Sequence, residues 1–289
     1  MDQKLQLTTP VDIEPSTWRI SPCERMLFVG SCFADNMGKR FVTEKFRAIV
    51  NPFGVMYNPA SILHTVQQLA DTDQLPFAPD EPGTAVFTLG TNHVYILNET
   101  GEIVDNCQKR PQRLFTEQEL TIEECTDYLS QTIQIIRSRF PKVRIILTVS
   151  PIRYRKYGFH GSRLSKAVLL LAIDRLIHPK DSIHSSNDFE NTTVYFPSYE
   201  IMNDELRDYR FYKPDMLHPS DQAVDYIFQR MAETFFSPET HDFLRTWKPI
   251  REALEHRPFD PDSAEYHAFL QRTLDQAKAL QQQYPGLVL

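Results

Sequence analysis

Short apolar runs alternate with amphipathic stretches along most of this chain, and that alternation is what most constrains its fold. Met26–Val29, Arg47–Val50, Thr84–Leu89, Val143–Val149 and Thr193–Phe196 each read as a strand, Val143–Val149 (VRIILTV) most clearly. Helical spacing fills the gaps between them. Phe33, Met37, Phe41 and Phe46 share a face over Phe33–Phe46, and Ile62, Leu63, Val66 and Leu69 share one over Pro59–Leu69. Ser162–Ile177 is a helix expected to turn Leu164, Val168, Leu171 and Ile173 inward, and Asp221–Phe236 is another. A continuously apolar strand has both faces covered, as in a parallel sheet held between helices. The expected fold is therefore α/β, a three-layer α/β/α sandwich with a mostly parallel sheet.

Two segments depart from this rhythm. Val94–Leu97 and Glu102–Asn106, joined by a turn at Asn98–Gly101, predict a β-hairpin, after which Thr116-x-x-Glu119 reads as a capping box opening a helix to about Phe140. Beyond Pro238 the chain predicts two helices, Phe243–Arg257 and Ala264–Gln283. The expected organisation is a main domain over residues 1–236 and a C-terminal helical extension over 237–289.

With 289 residues and 41% hydrophobic content the chain can bury a large core. Its net charge of -7 comes with no Lys/Arg run, so the electrostatic footprint of a nucleic-acid binder is missing. No apolar run approaches the length of a membrane span. Cys23, Cys32, Cys107 and Cys125 are scattered, with neither metal-ligand spacing nor a disulfide framework, and the opening residues lack the apolar core of a leader. These features predict a cytoplasmic protein with no metal, no cofactor and no membrane or nucleic-acid partner.

The first strand ends in Gly30-Ser31-Cys32, and Asp215-Met216-Leu217-His218-Pro219 stands just before the last helix of the main domain. A hydroxyl or thiol at a strand-to-helix turn, combined with a distant Asp-x-x-His, is the pattern of an acyl-transfer triad: one group attacks, the imidazole takes its proton and the carboxylate fixes the imidazole tautomer. Cys32 would meet helix-terminal N–H groups that favour a thiolate. Ser31 is the neighbouring candidate and also suits an N-cap for the helix near Phe33. His93, Tyr199, Glu200, Asp204 and Arg210 are weaker candidates on the same edge, more in keeping with structural hydrogen bonding.

Gly30–Ala34 (GSCFA), Asn51-Pro52-Phe53-Gly54, Pro197-Ser198-Tyr199-Glu200 and Asp215-x-x-His218-Pro219-Ser220 together resemble the GSCFA-domain family over roughly residues 20–236. That family is similar to the SGNH/GDSL hydrolases, a three-layer α/β/α superfamily of esterases, lipases and acyl transferases. The resemblance implies that Asp215 and His218 are catalytic and that Gly54 and Asn92, in Gly90-Thr91-Asn92, supply an oxyanion hole. The superfamily's nucleophile stands two residues after Gly, a register that falls here on Cys32; Ser31 requires a one-residue shift. The implied activity is hydrolysis or acyl transfer on a small-molecule, carbohydrate or lipid acyl ester or thioester. The alternative is a binding or scaffolding protein on the same fold without turnover.

Overall fold

The computed structural model describes residues 8–178 and 192–289. Five strands, β1 (Arg25–Gly30), β2 (Arg47–Val50), β3 (Gly83–Leu89), β7 (Val143–Val149) and β8 (Thr193–Tyr195), form one parallel sheet in the order β2-β1-β3-β7-β8. The sheet lies between two helical layers. Because side chains alternate across a strand, Leu27, Val29, Ala85, Phe87, Ile145 and Leu147 pack on one face against α2 (Pro59–Asp71), α3 (Ile122–Arg139) and α4 (Gly158–Ile177). Met26, Phe28, Val86 and Ile146 face the other way, onto α1 (Cys32–Thr43) and α5 (Asp221–Phe235). Every residue of β3 and β7 is buried, which is what made their apolar runs so legible. The three-layer α/β/α architecture is thus present.

The expected hairpin is larger than predicted. β4 (His93–Leu97), β5 (Ile103–Val104) and β6 (Phe115–Glu119) make a separate antiparallel sheet in the order β5-β4-β6. Thr116–Glu119 is therefore strand, not a helix start. The capping box lies five positions later: the Thr121 hydroxyl accepts from Glu124 N–H at 3.2 Å, and the Glu124 carboxylate accepts from Thr121 N–H at 2.7 Å. Pairing with β4 outweighs the local cap at Thr116, since each paired residue satisfies a backbone group that the cap would leave open.

The inward face of α4 differs from expectation in part: Ile173 is buried and Val168 packs against the core, as expected. Leu164 and Leu171 are exposed, whereas Ser162, Ser165, Lys166, Leu169, Ala172 and Ile173 are buried. The buried set follows the i, i+3, i+4 spacing of one helix face, but its first turns carry polar side chains because they cover the polar ends of strands rather than apolar sheet.

α6 (Pro238–Glu255) and α7 (Ala264–Gln283) pack on each other, and on the segment before β1 and the end of α1, beside the N-terminal end of the sheet. Phe243, Trp247, Ile250, Ala277, Leu280 and Leu287 enclose Cys23, just before β1. The Trp247 indole N–H donates to Thr43 O at 3.1 Å, Arg251 pairs with Glu44, and Thr240 donates to Ile20 O at 2.7 Å. The extension therefore braces the end of the sheet opposite the candidate site.

Candidate active site

The chain leaves β1 for β2 on one side and returns to β3 on the other. Such a reversal opens a crevice at the C-terminal ends of the two central strands, where open α/β sheets bind ligands. Gly30 ends β1 at φ 150°, and a Cβ there would lie 2.3 Å from Thr88 O, so only glycine permits the approach of β1 to β3.

Ser31 follows as the N-cap of α1. Its hydroxyl accepts from Phe33 N–H at 3.2 Å, donates to Ser150 Oγ at 2.9 Å and lies 3.2 Å from Thr88 Oγ1. The three hydroxyls sit at the ends of β1, β3 and β7, and all three are buried. Cys32, the first residue of α1, is half-buried, with Sγ 3.5 Å from the Tyr57 hydroxyl. Burial, and then the bond to Cys32, push the Tyr57 phenol well above its ordinary range, so it stays neutral and can donate.

Asp215 and His218 come together in a tight turn. The His218 carbonyl accepts from Lys213 N–H at 2.7 Å, and Met216 takes φ 58° at the turn's apex. Asp215 Oδ1 accepts from the N–H groups of Leu217 (2.8 Å) and His218 (3.0 Å), and Oδ2 lies 2.6 Å from His218 Nδ1. Those backbone bonds, with the imidazole, hold the Asp215 carboxyl down at about 2. An ionised Asp215 assigns the Nδ1 proton and leaves Nε2 as the basic nitrogen.

Arg153 ties this turn to the end of β7: its N–H donates to Leu217 O at 3.1 Å and its guanidinium to Met216 O at 3.0 Å. The next residue, Tyr154, faces Tyr57 with ring centroids 6.1 Å apart. Tyr57 and Arg153–Tyr154 thus bridge the Cys32 end of the crevice and the His218 turn. Among the described residues, neither Ser31 nor Cys32 hydrogen-bonds His218.

Gly54 takes φ 94°, and its N–H donates to Asn51 O at 2.9 Å. Asn51 in turn accepts from Gly30 N–H at 2.8 Å and donates to Asp35 at 2.6 Å, which orders this loop against the start of α1. Asn92 is buried; its Nδ2 donates to Leu120 O at 2.8 Å, and its Oδ1 has no partner among the described residues. His93, the first residue of β4, stacks on Tyr157 from the segment before α4, with ring centroids 3.6 Å apart. Glu200 accepts twice from the Tyr195 hydroxyl, and Arg210 pairs with Asp208.

Sequence reasoning missed Lys166. Only 2% exposed, its ammonium donates to Gly90 O at 2.7 Å and Ser150 O at 2.8 Å, bridging the ends of β3 and β7. Burial alone pushes it down to about 7. Ser165 beside it accepts from Asn92 N–H at 3.0 Å and lies 3.0 Å from Thr91 Oγ1. The sequence carries no signal for it, since Ser162, Ser165 and Lys166 share the buried face of α4 with Leu169 only in the folded chain.

In structure the chain is similar to a protein assigned as a GDSL-like lipase from Parabacteroides merdae, at 13% identity over 76% of this chain and 100% of that one, with a TM-score of 0.45. It is similar to a mutant acetyl esterase solved with acetate ion, at 10% identity over 77% and 98%, with a TM-score of 0.43. A carbohydrate esterase family 3 protein from Talaromyces cellulolyticus gives 10% identity over 77% and 98%, with a TM-score of 0.39. No curated protein matches the chain. Residues 247–289 match the C-terminal domain of GSCFA domain proteins. Residues 25–81 and 80–231 match the GSCFA family itself, and the chain belongs to that family.

Proposed function

We propose that this protein is a hydrolase or acyl transferase acting on an ester or thioester, with Cys32 as nucleophile, His218 as general base and then acid, and Asp215 as the group that orients it. The observation that carries this reading is the Asp215–His218 pair, 2.6 Å apart, with Nε2 making no hydrogen bond among the described residues. Cys32 is favoured over Ser31 because Cys32 is only half-buried and its Sγ has the single long contact to Tyr57 among the described residues, whereas Ser31 is buried with its hydroxyl committed to Phe33, Ser150 and Thr88.

In the reaction His218 Nε2 takes the Cys32 proton and the thiolate attacks the acyl carbon. The imidazolium then protonates the leaving oxygen or sulfur as its bond to the acyl carbon breaks. Water or an acceptor hydroxyl, deprotonated by the same nitrogen, cleaves the resulting thioester and regenerates the thiol. The His218 turn must close on Cys32 for the first step, a tightening common on substrate binding. An oxyanion role for Gly54 requires its N–H to leave Asn51 O, while Asn92 keeps one of its two amide hydrogens in reserve.

Those occupied donors favour a second reading, a binding protein on this fold. Turnover of short p-nitrophenyl esters and thioesters separates the two. His218→Ala should lower it by about 10²–10⁴-fold; turnover unchanged in His218→Ala rejects the assignment. Alkylation of Cys32 by iodoacetamide at mildly acid pH, fast in the wild type and slow in His218→Ala, supports the enzyme. A thiol inert until denaturation favours the binding protein.

A further inference from the structure

Beside the His218 turn lies a second feature that the triad does not use. A cavity of about 340 Å³ is lined by Arg153, Arg163, Arg207, Tyr199, Tyr209 and Tyr212, with Asp204 the one acid on its wall. Three cations against one anion leave an excess of positive charge. None of the three guanidiniums pairs with a carboxylate among the described residues: Arg163 donates to the Tyr199 hydroxyl at 3.3 Å and Arg153 to Met216 O. Arg153 also lies over the rings of Phe159 (4.1 Å), Tyr212 (5.5 Å) and Tyr209 (5.8 Å), which fixes its plane while leaving N–H groups unused. Arg163 bonds to Tyr199 while Arg153 lies on Tyr209 and Tyr212, and all five residues line the same cavity.

Elsewhere on the surface arginines find acids, as Arg40 does with Asp225 and Arg175 with Glu123. Here the unpaired guanidinium forks match the planar, multidentate geometry of a phosphate or carboxylate. The aromatic walls suit the flat faces of a small ring. The volume is at the lower end of small-ligand sites.

We infer that this pocket binds an oxyanion, phosphate or carboxylate, carried by a small substrate whose acyl group extends to His218. Only the attachment to an acyl group rests on the reading proposed above; anion binding does not. Arg153, bonded to both Leu217 and Met216, is the shared wall between the two.

Calorimetric titration of the full chain with inorganic phosphate and with acetate, at matched ionic strength, tests this. Saturable binding of either anion is expected, weakened at least about tenfold by Arg163→Gln and by Arg207→Gln. Both side chains are exposed, so circular dichroism should report an unchanged fold. The tighter anion identifies the substrate's charged group. His218→Ala should bind that anion as the wild type does, so ester turnover that survives His218→Ala rejects the triad and leaves the pocket standing. No saturation by about 10 mM of either anion, or binding indifferent to both arginine variants, overturns the inference.

Discussion

At the N-terminal end of the sheet the buried Glu24 carboxylate meets the Arg144 guanidinium, the Thr84 hydroxyl (2.6 Å) and Ser21 N–H (3.0 Å), while Arg144 also donates to Arg19 O at 2.6 Å and lies over the Trp18 ring. At the C-terminal end, among the described residues, the buried Lys166 ammonium has two carbonyls and no anion, Asn92 Oδ1, Thr148 Oγ1 and Ser198 Oγ have no partners, and His218 Nε2 makes no hydrogen bond. One end cancels its buried charge and is braced by α6 and α7. The other holds charge and hydrogen-bonding capacity in reserve. An uncompensated charge is costly to keep in an interior, so the two ends differ in how their buried charge is met, although unpartnered nitrogens, Trp18 Nε1 and Arg144 Nε among them, occur at the compensated end as well.

The largest effect should come from breaking the compensated end. Arg144→Met leaves the Glu24 carboxylate buried without its cation and should lower the unfolding free energy by about 3–5 kcal/mol, read as a shift in the urea midpoint. Ester turnover per folded molecule should not change, because the substitution lies across the sheet from the crevice. A variant as stable as the wild type would show that the two ends do not differ in the way argued.

Lys166→Met probes the uncompensated end. It leaves the Gly90 and Ser150 carbonyls without a donor, a loss of about 1–3 kcal/mol, but it also removes a cation that burial disfavours. The two contributions separate by pH. The folded state holds Lys166 down at about 7, against an ordinary value of 10.5, with no neighbouring charge contributing. Below pH 7 both states are protonated and the residue adds no pH dependence. Between 7 and 10.5 the unfolded chain binds the extra proton, so this residue's contribution to stability grows as pH rises, by at most about 1.4 kcal/mol per pH unit. Cys23 and Cys125, pushed up by burial to about 11 and about 12, act in the opposite sense at alkaline pH. The measurement is therefore the difference between wild type and Lys166→Met in urea midpoints from pH 6.5 to 9.5. A flat difference would mean that the ammonium is solvated.

Ser31→Ala comes next. It removes the N-cap of α1 and the donor to Ser150, for a loss of about 1–2 kcal/mol. If Cys32 attacks, turnover should stay within about tenfold of the wild type. Abolished turnover in a folded Ser31→Ala protein would move the nucleophile to Ser31 and make its hydrogen bonds a resting state.

These contrasts were unevenly legible beforehand. The parallel strands could be read because β3 and β7 are buried on both faces, which leaves an unbroken apolar run, and Asp-x-x-His could be read because its two groups are neighbours in sequence. Lys166 could not. A lysine on a helix ordinarily reads as a solvated face, and what buries this one is the meeting of the ends of β3 and β7, a contact between segments far apart in the chain. Leu164 and Leu171 misled for the same reason: the buried side of α4 begins with Ser162, Ser165 and Lys166 and turns apolar only at Leu169, Ala172 and Ile173, so hydrophobicity alone does not mark it. The arginine cavity draws on Arg153, Arg163 and Arg207, three positions whose convergence depends on how β7, α4 and the segment before α5 are packed.

The smallest effect tests the other misreading, at the start of α3. Thr121, not Thr116, caps that helix, so Thr121→Ala should cost about 1 kcal/mol, while Thr116→Ala, on an exposed strand position, should cost less than about 0.5 kcal/mol. The preceding residue gives the comparison functional reach. Leu120 N–H donates to Asn92 O at 2.9 Å, and Leu120 O accepts from Asn92 Nδ2, so the helix cap borders the anchor of the expected oxyanion donor. If that anchor holds Asn92 away from the crevice, loosening it with Thr121→Ala should leave turnover unchanged or raise it slightly. If the anchor instead aims the second amide hydrogen at the developing oxyanion, turnover should fall in Thr121→Ala and not in Thr116→Ala. The pair of variants thus decides whether Asn92 belongs to the reserve of the catalytic end or to the framework that supports it.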